Sequence, residues 1–69
     1  MKLSARNVIK GTVKSFKQGA VNDEVIVEIA PGIEMTSIIT SSSCDRLGIE
    51  VGKEAYVLVK ASNVMLATE

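Results

Sequence analysis

Four residues near the start of the chain, Ser4-Ala5-Arg6-Asn7, bring a hydroxyl, a guanidinium and a carboxamide together, and all three donate hydrogen bonds. In an extended segment, residues 4 and 6 point to the same face, so the Ser4 hydroxyl and the Arg6 fork converge while Ala5 turns away. Such a pair suits an oxyanion, because Arg carries a permanent charge and its hydrogen bonds to an anion are charge-assisted. On these four residues alone, a solvated strand end is the commoner meaning. The anion chemistry therefore depends on what else the chain supplies.

Two other stretches supply donors. Between Thr36 and Ser43 there are six hydroxyls in eight residues. Most serve as caps and strand-edge residues, but Thr40 and Ser43 flank the start of a short helix, where free backbone N–H groups and a partial positive charge also favour an anion. In Lys60-Ala61-Ser62-Asn63 an ammonium meets a turn with free amides. Catalytic groups are sparse by contrast. The chain has no His, Cys44 has no visible base, and Asp23, Glu24 and Glu28 read as a solvated turn and strand face, so no enzyme is expected.

The elements that must position these groups follow from period-2 patterning and turn residues. Asn7 to Lys17 reads as a strand rich in β-branched residues, with Gly11 as its bend or bulge. Gln18-Gly19-Ala20 is a turn, and Val21 to Ile29 is a second strand in which Val25, Val27 and Ile29 alternate with Glu24 and Glu28. Pro31-Gly32 fits the centre of a type II turn before a third strand, Ile33 to Thr40. The serine run and Gly48 bracket one or two helical turns. Glu54 to Lys60 is a fourth strand and Val64 to Ala67 a fifth. The order β-β-β-α-β-β is that of an all-β small barrel, the OB-fold, with an SH3-like barrel or an open meander as the runners-up.

Sixty-nine residues, 1–69, form a single domain, 46% apolar, with eight basic and eight acidic side chains. That balance excludes disorder and a strongly basic nucleic-acid binder. Phe16 and Tyr56 are the only aromatics, too few for base stacking. A single cysteine forms no internal disulfide, and no apolar run is long enough to span a bilayer, so a cytoplasmic protein without a membrane partner is expected. Ile26, Ile38 and Leu58 fall on the face opposite the core. One barrel interior cannot hold both faces, which predicts a homo-oligomer with these side chains at the contacts.

Taken together, Leu3-Ser4-Ala5-Arg6-Asn7 with Lys10-Gly11, Thr36-Ser37-Ile38-Ile39-Thr40, Leu47-Gly48-Ile49 through Gly52-Lys53, and Val59-Lys60-Ala61-Ser62-Asn63-Val64-Met65-Leu66 resemble the molbindins, small proteins that bind molybdate or tungstate. The resemblance covers nearly the whole chain. It implies an OB-fold subunit in a hexamer, a trimer of dimers, with oxyanions held between subunits for storage and no further cofactor. By that resemblance, Ser4 and Arg6 face Thr40 and Ser43, and Lys60 with the amide of Ala61 completes the site from a neighbouring subunit. Ser43 is matched only by its place in the serine run, so Ser41 or Ser42 could stand in for it. A second site near the threefold axis would use Gly19, Ala20 and Ser37. The competing expectations are a structural oligomerisation module, with Arg6 and Lys60 in intersubunit ion pairs to Glu50, Glu54 or Glu69, and an OB-fold nucleic-acid binder.

Overall fold

A computed structural model describes all 69 residues. Three strands, β1 (Asn7–Lys17), β2 (Asn22–Ala30) and β3 (Ile33–Thr40), run as an antiparallel meander. The helix α1 (Ser41–Leu47) follows, then β4 (Glu54–Val59) and a single 3₁₀ turn at Ala61–Asn63. The sheet order is β3-β2-β1-β4, so β1 is flanked by β2 on one side and by β4 on the other. The sheet curls around a small core of Val13, Val25, Val27 and Cys44, against which Phe16, Ile29, Ile39, Ile49, Ala55 and Val57 pack. No helix is long and apolar enough to cross a membrane.

Local chemistry accounts for the boundaries. Ala30 pairs with Ile33 across Pro31-Gly32, and Gly32 adopts φ +75°, the value a type II turn demands of its third residue. Thr40 stays extended and its Oγ1 accepts the Ser43 N–H at 3.1 Å, so the threonine is the N-cap. At the other end Gly48 is left-handed at φ +67°, and the Ile49 N–H returns to the Cys44 carbonyl at 3.1 Å, a Schellman-type stop that lays Ile49 on the core.

Two expectations need correction. The β1 bulge is not at Gly11 but at Lys14, where pairing with β2 shifts between Val13 and Ser15. Gly11 has a different task, since a Cβ there would lie 2.7 Å from both the Glu28 carbonyl oxygen and Val27 Cγ1; only glycine lets β2 approach so closely. The fifth strand, Val64 to Ala67, does not form within the chain. It pairs with no strand and leaves Met65 92% and Leu66 93% exposed. In addition, β2 begins at Asn22 and β4 ends at Val59, each one residue from the expected boundary.

Candidate functional site

The β1–β4 ladder builds the first part of the site. Asn7 pairs with Val59 and Val8 with Leu58, and the Asn7 side chain clasps the ladder's end by donating Nδ2–H to the Val59 carbonyl at 3.1 Å. Asn7 and Val59 are the last pair of this ladder, so Arg6 and Lys60 stand just beyond its end. Accordingly Ser4, Ala5, Arg6, Leu58, Lys60, Ala61 and Ser62 line one open concavity of about 500 Å³. The Ala61 and Ser62 N–H groups have no acceptor among the turn and loop hydrogen bonds, so the 3₁₀ turn offers free donors to the same space.

The charges around this concavity are unusual. Three other lysines are matched, Lys10 to Glu54 at 3.1 Å, Lys53 to Glu50 at 3.0 Å, and Lys14 to Glu34 at 2.6 Å and Glu28 at 3.7 Å, while Lys17 at the end of β1 is not. These bonds hold the Lys10 and Lys14 ammonium groups above their ordinary pKa, chiefly through the hydrogen bonds from Glu54 and Glu34. Arg6 and Lys60 have no carboxylate within ion-pairing distance. Two like charges lining one concavity repel, and these two are left without a counter-charge from the chain. An anion between them would remove that repulsion.

The helix end forms a second, separate part. Thr40 Oγ1 donates to Ser43 Oγ at 2.8 Å, and Arg46 reaches Ser43 Oγ at 3.5 Å, so both hydroxyls are held in place at the N-terminus of α1. They do not line the Arg6–Lys60 concavity. Thr40 ends β3, at the opposite end of the strand order from β4. One chain therefore groups Ser4 and Arg6 with Lys60 and Ala61, and holds Thr40 and Ser43 apart from them. Of the remaining candidates, Gly19 lies on the rim of a different hollow with Lys17, Gln18 and Asn22, and Ala20 is exposed beside it. Ser37 lines an apolar groove between β3 and β4, apart from both.

Residues 3–66 match the TOBE domain model. The chain belongs to the TOBE domain family. Among full-length relatives, a probable molybdenum-pterin-binding protein of Haemophilus influenzae is 44% identical over 69 residues, covering 100% of both chains. A molybdate-binding protein from Sporomusa ovata superposes with a TM-score of 0.91 at 31% identity, covering 99% of this chain and 100% of that one. The cytoplasmic molybdate-binding protein ModG, with molybdate bound, gives a TM-score of 0.89 at 45% identity over 94% of this chain and 46% of its own. These relatives place the chain among the molbindin-type TOBE domains.

One residue of this TOBE domain was misread from the sequence. Asp23 is not a solvated turn residue; it is 1% exposed, and its Oδ1 accepts the Ser41 hydroxyl at 2.6 Å and the Gly19 N–H at 3.2 Å. The Ser41 hydrogen bond is the main reason its carboxyl is held below the ordinary range; burial opposes the shift, while the Gly19 N–H and the Cys44 thiol assist it. Burial, aided by Asp23, in turn raises the Cys44 thiol. With the Ser41 N–H donating to the Val21 carbonyl at 2.7 Å, the β1–β2 turn is riveted to the start of α1. The signal was present: Asp23 shares the odd-numbered parity of Val25 and Val27 on the buried face of β2.

Proposed function

We propose that this TOBE domain binds molybdate or tungstate as cargo, with Ser4, Arg6, Lys60 and the Ala61 amide forming one wall of the site and Thr40 and Ser43 of an adjoining subunit the other. The observation that carries the reading is that Arg6 and Lys60 line one concavity, free of carboxylates and beside unused N–H groups. Molybdate at neutral pH is a tetrahedral dianion that only accepts hydrogen bonds. Two positive charges balance it, and a wall of donors satisfies its oxygens. Charge-assisted hydrogen bonds contribute roughly 1.5 to 3 kcal/mol each, so five or six amount to on the order of 10 kcal/mol before ordering costs, enough for about micromolar or tighter binding. Phosphate, partly protonated near pH 7, leaves its own donor unpaired in such a pocket, and sulfate fits loosely.

The reading includes a homohexamer, a trimer of dimers, that stores the oxyanion in the cytoplasm without catalysing a reaction. Exposed Ile38 and Leu58, 68% and 44% accessible, support assembly through the outer faces. The cytoplasmic location is supported by the description of ModG. Of the carboxylates in the intersubunit ion-pair alternative, Glu50 and Glu54 are already matched by Lys53 and Lys10, which leaves Glu69 alone against two cations. A second oxyanion near Gly19 and Ala20 would rely mainly on Ala20, since the Gly19 N–H is committed to Asp23. Native mass spectrometry with molybdate and sulfate in parallel tests the whole reading. The expected result is a hexamer that gains several molybdates and no sulfates; a hexamer that gains neither would refute oxyanion binding.

A further inference from the structure

Asp23 is the one buried charged side chain, and the oxyanion wall of Arg6 and Lys60 does not use it. No Lys or Arg lies within ion-pairing distance of it. Burying a carboxylate without a counter-cation is costly, and a valine at this position would extend the stripe of Val25 and Val27 without that cost. What the carboxylate holds is the junction of β3 and α1. Asn22 pairs with Thr40 at the end of the β2–β3 ladder, and Asp23 Oδ1 accepts both the Ser41 hydroxyl at 2.6 Å and the Gly19 N–H at 3.2 Å. The residue after Thr40 is thereby fixed to the turn before β2.

Counting protons shows what this does to the hydroxyls that follow, since each has one proton to give and two lone pairs to receive. Ser41 gives its proton to Asp23, and Thr40 gives its proton to Ser43 Oγ at 2.8 Å. Ser42, 3.3 Å from Thr40 Oγ1, is then the donor in that contact. Ser43 accepts from Thr40 and, at 3.5 Å, from Arg46, so its own proton is the one left free. We propose that Asp23 is a positioning residue of the oxyanion site: by drawing Ser41 inward and fixing the junction, it makes Ser43 the hydroxyl that the wall of Thr40 and Ser43 presents to the anion. The inference rests on the oxyanion reading above. Asp23 acts through Ser41 and the backbone of Thr40, in the way that supporting hydrogen bonds orient the groups that touch a ligand. Its own negative charge opposes an anion, so the affinity it brings comes from geometry alone.

Isothermal titration calorimetry with molybdate, at neutral pH and well below each variant's Tm, separates positioning from folding. Asp23→Ala is expected to raise the Kd about tenfold, the loss of one charge-assisted hydrogen bond at the low end of its range, and Ser41→Ala to raise it alike. Asp23→Asn keeps an acceptor oxygen in place and is expected to restore most of the affinity, although it too removes the charge. Ser43→Ala combined with Asp23→Ala is expected to bind no more weakly than Ser43→Ala alone, because both act on one contact. Val13→Ala removes core volume but none of these hydrogen bonds, and is expected to lower the Tm and keep the parent's Kd. Parent-like or tighter binding by Asp23→Ala, no recovery in Asp23→Asn, additive losses in the double variant, or an equal loss in Val13→Ala would each overturn the proposal. If Asp23→Ala does not fold, parent-like binding by Ser41→Ala overturns it equally. A parent that binds no molybdate defeats the oxyanion reading and the proposal with it, whereas a parent that binds beside unaffected variants defeats the positioning alone.

Discussion

Arg6 allows binding to be separated from folding. Its side chain lies in the concavity, makes no ion pair and is not part of the core, so Arg6→Ala removes donors without removing packing. Surface substitutions of this kind shift stability by no more than about 0.5 kcal/mol, roughly 2 to 4 °C in Tm for a domain of this size. The binding loss is larger. One charge-assisted hydrogen bond to the anion is worth about 1.5 to 3 kcal/mol, which corresponds to a Kd for molybdate raised about tenfold to a hundredfold. Arg6→Lys keeps the charge but loses the planar fork, so its Kd is expected to fall between those of the parent and Arg6→Ala. Isothermal titration calorimetry with molybdate gives the three constants and a thermal melt gives the three stabilities. Parent-like affinity in Arg6→Ala would refute the assignment of Arg6 to the site, and a collapse of its Tm would refute the separation of site from core.

Three other outcomes follow from the packing. Gly11→Ala places a Cβ 2.7 Å from the Glu28 carbonyl oxygen, and overpacking of this kind costs about 1 to 3 kcal/mol, so a melt should show a loss of several degrees; an unchanged Tm would mean that β2 moves aside freely. Asp23 has its folded pKa depressed below the ordinary 3.8, so it adds stability above that value and loses it as pH falls through the folded pKa. Urea midpoints between pH 7 and pH 2.5 should therefore drop more steeply below about pH 4 for the parent than for Asp23→Asn, and parallel curves would contradict the Ser41 and Gly19 hydrogen bonds. The Cys44 thiol, 3% exposed and with its pKa raised, should react with an aromatic disulfide reagent only in step with unfolding; rapid reaction in the folded protein would contradict its burial.

The sequence was most legible where local rules decide the outcome. Thr40 and Gly48 bracket the helix because a hydroxyl cap and a left-handed glycine are determined by the chain's own next few residues. The bounds of β1 and β3 and the Pro31-Gly32 turn follow for the same reason. The bulge at Lys14 was not legible, because it depends on the register β2 adopts against β1, a relation between segments and not a property of either. Val64 to Ala67 has strand composition, but a strand exists only where an edge receives it, and in its own chain the segment pairs with none. In the site, Ser4, Arg6, Lys60 and Ala61 were legible as donors, and their meeting follows from the β1–β4 register. Asp23 was overlooked because a carboxylate among glutamates suggests solvent, although its parity and the Ser41 hydroxyl told otherwise.

The central position of β1 also has consequences in time. Its β2 edge pairs with the segment that follows it, but its β4 edge waits for residues from the far end of the chain, with the Asn7–Val59 clasp spanning 52 positions. Contacts that distant are slow to form, so during folding or synthesis the apolar edge of β1 stands open after the first hairpin has closed. Such an edge invites pairing with the wrong chain. Lys10 and Lys14 are spaced along that strand, and before their carboxylate partners arrive each presents an unneutralised charge to any approaching edge. The lysines that later join the surface ion pairs would thus first act as gatekeepers, keeping the half-built sheet soluble until β4 docks.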